Sequence, residues 1–407
     1  MTVKRRSDLT FRYNVRRGRH GWVRLTPAYS VKVVQEILTE NPGVSRVLDP
    51  FSGTGTTGVV CGEAGISCDL IDINPFLVWL ANVKTANYTP AQIGMARVAA
   101  EGIVREAKKL SSTSELWIPP ISNVHRWWIP ERLEVLARIY DRLSARLPEM
   151  TPVKDLLLVA FCRLVIKWSN AAFNHQSMSF QSLDGGQQTF FDEGDGIYHS
   201  YITQVEEVLA GALWALPGNV SVRVGDSRQI LSSVDGPYDC VITSPPYPNR
   251  MSYIRELRPY MYWLGYLTDA RAAGELDWQA IGGTWGIATS RLKKWQPGEP
   301  MVDIPGLGAV VAGIAMHSPV LANYVYKYFA DIATHLASLR HVLLPGAHLF
   351  YIVGNSKFYD VLVPVEIFYT ELLRSSGFIE ITVDVLRKRN SKKELFEFLV
   401  SARAPVS

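Results

Sequence analysis

Apolar and polar positions follow two rhythms along the 407 residues. Near the start, Val31, Val34, Ile37 and Leu38 recur on one helical face, which predicts a helix. Short apolar runs at Ser45–Leu48 and Ser67–Ile71 predict two strands. Helical spacing then takes over at Ala91–Leu110, Pro130–Arg146, Val153–Trp168 and Ile197–Leu216. The polar stretch Ser169–Glu193 between the last two is long for a connection. Strands return at Val220–Val224, Asp239–Thr243, His348–Val353, Ile379–Leu386 and Leu395–Ala402. Among them lie helices near Ser252–Gly265, Pro319–Leu343 and Pro364–Ser376, while Thr268–Ser318, rich in Gly, Pro and Trp, reads as irregular.

Strands alternating with helices predict an α/β fold, a doubly wound and mainly parallel sheet. The basic link Arg387–Lys393 between the last two strands predicts a hairpin that leaves one strand antiparallel. The chain divides accordingly. Residues 1–28 read as a basic N-terminal arm, 29–88 with 219–407 as the sheet domain, and 89–218 as a helical insertion. Residues 268–318 form a second insertion within the sheet domain.

Composition narrows the class. With 47% apolar and 20% charged residues, global disorder is excluded. No uncharged apolar run reaches the roughly 18–20 residues of a membrane helix, and no secretory leader is visible, so a cytoplasmic protein without membrane contact is expected. Cys61, Cys68, Cys162 and Cys240 lack metal-ligand spacing and read as reduced thiols, with no metal site. The net charge of +4 is unevenly spread: the first 24 residues hold eight Lys or Arg against Asp8. Arg16, Arg17 and Arg19 are candidates to track a polyanion; a solvated terminus is the other reading.

Candidate chemistry sits at strand ends. Asp49-Pro50-Phe51-Ser52-Gly53-Thr54-Gly55-Thr56-Thr57-Gly58 follows the first strand and opens a helix. Glycines there let the backbone turn sharply and approach a ligand, at the sheet edge where such folds bind ligands. No Gly-Lys-Ser/Thr follows, which disfavours an NTPase loop. Asp72, after the second strand, is placed to accept ribose hydroxyls or to cap the turn before Asn74-Pro75. Dinucleotide and S-adenosylmethionine folds both use this arrangement. Asp226, after the next strand, could bond an adenine amine or serve as a helix N-cap. Asp239–Thr243 then runs directly into Ser244-Pro245-Pro246-Tyr247. Two prolines stiffen this loop and remove two donors. The Ser244 hydroxyl and Pro245 carbonyl can accept from a planar group's amine while its ring stacks on Tyr247.

The pair DPFSGTGTTG and TSPPY resembles the amino-methyltransferases of DNA, which methylate N4 of cytosine or N6 of adenine. The resemblance implies a Rossmann-like methyltransferase fold, S-adenosylmethionine as cofactor and DNA as partner. It further implies that Phe51, Gly53, Gly55, Asp72 and Asp226 contact the cofactor, with Asp49 and Thr56 in the same loop and Thr26 in a preceding Arg24-Leu25-Thr26-Pro27 motif. Ser244, Pro245, Pro246 and Tyr247 would hold an extruded base. Serine at position 244 tilts the target to cytosine N4. Family habit adds a restriction-modification or phage-defence setting with a cognate endonuclease. Departing from simple members, 191 residues separate Gly53 from Ser244. DNA contacts are expected at Asn249 and Arg250, just after the loop, and at Arg291, Lys293 and Lys294 in the second insertion. Asn170, Asn174, His175 and Gln176 could read base edges or cap a helix end. Methylation of RNA or of a protein glutamine, and a catalytically silent DNA-binding subunit, stay as alternatives.

Overall fold

The computed structural model describes residues 6–15, 17–25, 28–111, 115–172, 179–180, 193–249, 251–298, 301–389 and 394–406. Seven strands form the main sheet: β1 Arg46–Asp49, β2 Ser67–Asp72, β3 Val220–Val224, β4 Tyr238–Thr243, β5 Leu343–Gly354, β6 Ile379–Lys388 and β7 Phe396–Arg403. Their order is β6-β7-β5-β4-β1-β2-β3. All neighbours are parallel except β7, which pairs antiparallel with both β5 and β6. This is the mainly parallel, hairpin-bearing sheet the sequence predicts.

The order brings distant motifs together. β1 lies beside β4, with Val47 opposite Cys240 and Leu48 opposite Val241. Both strands run the same way, so the loops after Asp49 and after Thr243 leave the same sheet edge side by side. β1 is also where strand order reverses, the position at which open α/β sheets form a ligand crevice.

Helices Pro90–Ala107, Pro130–Arg146, Pro152–Lys167 and Glu193–Ala212 pack into a helical unit. The first starts at Pro90 because Thr89 and Gln92 make a capping box: the Gln92 amide donates to Thr89 Oγ1 at 3.2 Å, and the Thr89 amide donates to Gln92 Oε1 at 2.9 Å. These helices share an apolar core with Trp127, Trp128 and the helix Tyr253–Trp263, which follows the Ser-Pro-Pro-Tyr loop. Trp263 packs edge-on against Trp117, Trp128, Tyr140 and Phe161.

Two expectations change. Thr268–Ser318 is not irregular: it holds helices Ala270–Gln279, Ile287–Lys294 and Leu307–Ala315. Pro297, Pro305 and the glycines at 282, 283, 286, 298 and 306 lie between helices, while Gly274, Gly308 and Gly313 sit within them; Asp269 and Ser318 act as caps. Nor do the described residues of 1–28 form a free arm. Leu9, Trp22, Val23 and Leu25 are buried, and Asp8 pairs with Lys32 at 2.6 Å.

Candidate active site

The loop after β1 is built by its flanking carboxylates. Asp49 is fully buried. Its Oδ1 accepts from the Phe51 amide at 3.1 Å and from Thr243 Oγ1 at 2.6 Å; its Oδ2 accepts from the Tyr29 hydroxyl at 3.1 Å. Asp49 therefore pins the loop and ties the end of β1 to the end of β4, and does not line the cleft. Burial raises its pKa while these donors oppose the shift. The chain then turns through Gly53 at φ +51° and Gly55 at φ +77°, conformations that favour glycine. A Cβ at Gly55 would lie 2.9 Å from the Ala81 Cβ, whereas one at Gly53 would point into open space. The Gly53 amide donates to Asp72 Oδ2 at 2.9 Å and the Asn74 amide to Oδ1 at 2.9 Å. Asp72 thus caps the turn before Asn74-Pro75: its carboxylate holds two backbone turns, and the residue lines the cleft. Burial pushes its pKa up to about 7. Behind the loop, the buried Lys84 ammonium donates to the Thr54 carbonyl at 2.7 Å, and burial lowers its pKa to about 7.

The cleft holds about 960 Å³ including its mouth. Phe51, Ser52, Gly53, Thr56, Asp72, Asp226, Ser244 and Pro246 all line it. The Phe51 ring rests on the edge of His335, with centroids 4.8 Å apart. His335 is buried and neutral, with a pKa lowered to about 4 by burial. Its Nδ1–H donates to the Ser227 carbonyl at 3.0 Å, so Nε2 accepts from the Tyr351 hydroxyl at 2.8 Å. Asp226 does cap: its Oδ1 accepts from the Arg228 amide at 2.9 Å. Its carboxylate also takes the Arg228 guanidinium, with Nη2 to Oδ2 at 2.7 Å, which holds its pKa below the ordinary range against burial.

The Ser-Pro-Pro-Tyr loop is anchored at three points. Ser244 Oγ donates to the Ile352 carbonyl at 3.1 Å, which leaves its lone pairs as acceptors. The Tyr328 hydroxyl donates to the Pro246 carbonyl at 2.8 Å and accepts from Tyr369 at 3.0 Å. The Pro246 carbonyl is thereby occupied, whereas no donor among the described residues reaches the Pro245 carbonyl. Tyr247 packs so closely on Gly354 that a Cβ there would sit 2.8 Å from its ring. Arg389 lies over the same ring at 5.5 Å.

The opposite wall was not visible in the motifs. It comprises Tyr253, Ile254, Asp277 and Gln279–Gly283. Asp277 is 1% exposed. It accepts from Ser252 Oγ at 2.5 Å and from the Trp285 amide at 2.7 Å. Ser252 in turn N-caps the helix Tyr253–Trp263. One carboxylate therefore joins the second insertion to the helix after the Ser-Pro-Pro-Tyr loop. The signal available was Ser252, a cap three residues before Arg255.

This architecture has sequence relatives. The chain is 22% identical to the Type II methyltransferase M.BsoBI of Geobacillus stearothermophilus, over 97% of this chain and 85% of that protein. It is 21% identical to M.AvaI of Nostoc sp., covering 92% and 82%, and 21% identical to M.MvaI of Kocuria varians, covering 90% and 81%. No protein-family model matches. Among solved structures, the rRNA methyltransferase aviRa of Streptomyces viridochromogenes aligns at 13% identity over 93% of this chain and 86% of that one, with a TM-score of 0.27. The chain resembles Type II methyltransferases over nearly its whole length.

The remaining candidates scatter. Arg16, Thr26 and Arg250, together with Asn174, His175 and Gln176, lie outside the described residues. Arg17 is exposed, its guanidinium 3.9 Å from the Tyr13 ring centroid. Arg19 corrects the charge reading: it is 4% exposed and its guanidinium donates to the carbonyls of Lys84, Gly211, Ala212 and Trp214 at 2.6–3.2 Å, and to that of Ala86. Its donors are consumed at two helix ends and none faces a polyanion. Asn249 closes a local turn by accepting from the Met251 amide at 3.0 Å. Asn170 donates to the Arg126 carbonyl at 3.3 Å, a structural bond. Arg291 pairs with Glu275 at 2.7 Å, while Lys293 and Lys294 are exposed. No described helix is long and apolar enough to cross a membrane, and no cluster of described side chains could hold a metal ion.

Proposed function

We propose that this protein is a site-specific DNA methyltransferase that acts on the exocyclic amine of a flipped base, with cytosine N4 favoured over adenine N6. One observation carries the reading. Gly53, Asp72, Asp226, Ser244 and Pro246, drawn from four strand ends, line a single cleft. The full-length similarity to Type II methyltransferases supports it, and suggests a restriction-modification setting with a cognate endonuclease.

The residues fit S-adenosylmethionine. The space beside Gly53 is open, and the buried Ser52 hydroxyl at the cleft has no partner among the described residues. Phe51 would contact the adenine ring, Asp72 the ribose hydroxyls and Asp226 the adenine amine. When bound, the cofactor supplies an electrophilic methyl group on a sulfonium. The chain's own work is positioning. An aromatic amine is a weak nucleophile because its lone pair is delocalised into the ring. Acceptors at Ser244 Oγ and the Pro245 carbonyl would hold its N–H bonds so that the lone pair leaves the ring plane. Tyr247 would support the ring face. A stacked base cannot reach this cleft, so the target is extruded from the duplex, at a cost of a few kcal/mol.

The test is incubation with S-adenosylmethionine and unmodified DNA, followed by digestion to nucleosides and mass spectrometry. N4-methylcytosine is expected. N6-methyladenine would keep the family and overturn the base assignment. No methylated base with intact cofactor binding would overturn the activity and favour another substrate or a silent binding subunit. Ser244→Ala should abolish methylation and spare cofactor binding.

A further inference from the structure

Beside the cleft, the helix Tyr253–Trp263 presents two arginines that the proposed chemistry does not use. Arg258 lies between two indoles, its guanidinium carbon 4.8 Å from the Trp285 ring centroid and 5.6 Å from that of Trp127. Its Nε donates to the Arg255 carbonyl at 3.1 Å. The Nη atoms of Arg258 have no acceptor, and neither Arg258 nor Arg255 has an acidic partner within 4.0 Å, among the described residues. A guanidinium carries five donors, so four are left here, aimed by the stacking indoles. Half-buried cations are ordinarily paired, because removing them from water is costly. Here the opposite holds: burial and the neighbouring Arg255 both pull the Arg258 pKa down, with Glu256 and Tyr262 only partly offsetting them. Two adjacent cations left uncompensated on a rigid surface call for an external anion.

Their position says which kind. Tyr253 and Ile254, one turn earlier on the same helix, line the cleft, and Trp285 is tied to the cleft wall through Asp277. Phe180 packs edge-on against Trp127, and Arg126 lies over the Phe180 ring at 4.4 Å. Cations and planar rings thus alternate from Arg258 through Trp127 and Phe180 to Arg126, starting one turn beyond the cleft-lining Ile254. Resting on the DNA reading above, we propose that Arg258, oriented by Trp127 and Trp285, and the adjacent Arg255 grip the backbone phosphates of the duplex flanking the target base. The stacked guanidinium has the fork geometry that matches a phosphate, which a lysine lacks. This places backbone recognition on the helix after the Ser-Pro-Pro-Tyr loop rather than on the basic N-terminal segment.

The experiment is fluorescence anisotropy with a labelled mixed-sequence duplex across a salt series, on wild type, Arg255→Gln, Arg258→Gln, the double variant and Arg258→Lys. Each lost phosphate contact should lower the slope of log K against log salt by about 0.9. The double variant should lose roughly two such units and about tenfold or more in affinity, with S-adenosylmethionine binding and thermal midpoint unchanged. Arg258→Lys should recover the slope and only part of the affinity. If the double variant does not fold, the single exchanges and Arg258→Lys decide. Wild-type slope and affinity in the folded variants would overturn the proposal, as would wild-type binding that single-stranded RNA competes as well as duplex DNA. Methylated nucleosides are measured in parallel. A wild type that makes none, yet loses salt-dependent binding on substitution, keeps the surface and sinks the methylation reading. A wild type that methylates, with variants that bind normally, does the reverse.

Discussion

The two walls of the cleft are built on different plans. The wall from β1 and β2 is local: strand-end carboxylates take backbone amides two to nineteen residues away, and glycines supply the turns. The facing wall is assembled over distance, with Asp277 reaching back 25 residues to the cap of the helix after the Ser-Pro-Pro-Tyr loop. The first wall is a motif that a strand end can present almost anywhere; the second is a joint between two parts of the molecule. Local walls should fail by losing ligand, and joined walls by losing alignment.

The largest expected effect on this contrast between the walls follows from the joint. Asp277→Ala leaves Ser252 Oγ and the Trp285 amide without their acceptor in a buried place. Methyl transfer should fall about 100-fold, worth about 2.7 kcal/mol, with S-adenosylmethionine affinity nearly kept. Single-turnover kinetics and calorimetry would check it; equal losses in both would erase the distinction between the walls.

Asp72 gives the next effect. Its pKa is raised to about 7 by burial, so the native carboxyl holds its proton longer than the unfolded one. Apo stability on its account is greatest below the unfolded pKa of about 4 and falls as pH rises toward 7. Ligand affinity runs the other way, because the ionised form is the better acceptor. S-adenosylmethionine affinity should drop up to about tenfold per pH unit below about 7, and Asp72→Asn should flatten that profile. Calorimetry from pH 5.5 to 8.5 — both limits about a unit and a half from the midpoint — would show it. Lys84 also has a pKa near 7, so Lys84→Met, which leaves the carboxylate in place, separates the two titrations.

Gly53→Ala is milder. A left-handed alanine costs about 1–2 kcal/mol, and no atom lies within 4 Å of the new Cβ. Thermal melting should register that cost, while cofactor affinity should fall by more than the same factor, since the space beside Gly53 is where the ligand would lie. Smallest is Lys293→Gln with Lys294→Gln, exposed on the outside of the joined wall. Duplex affinity should weaken only a few-fold in the same salt titration.

The same contrast governs what the sequence reveals. The order of elements, the antiparallel strand and both strand-end loops are legible because each depends on neighbours in the chain: alternation, turn glycines, a proline pair. The helix Pro130–Arg146 has the residues its apolar stripe predicts. Arg19 is illegible for the opposite reason. Its cluster of positive neighbours suggests a solvated arm, but its carbonyl partners lie 65 to 195 residues away, and only the folded chain supplies them. Asp277 is hidden likewise. An acid in a Trp- and Gly-rich segment carries no local mark of the serine it will cap. Asp49 shows a subtler limit. Its place at the strand end is visible, but whether it faces ligand or backbone depends on Thr243, which only the pairing of β1 with β4 brings near.

The seating of Trp263 among Trp117, Trp128, Tyr140 and Phe161 has a consequence for how such a protein can change. The helix that leaves the Ser-Pro-Pro-Tyr loop is rooted in a unit that contributes no motif of its own. A recombination event that exchanged residues 89–218 for those of a distant relative would carry off the socket while leaving the plug behind. Every strand-end motif would survive intact in such a chimera, and the loop would still lose its footing. The helical unit and the helix after the loop should therefore be inherited, or transplanted by an engineer, as one cassette.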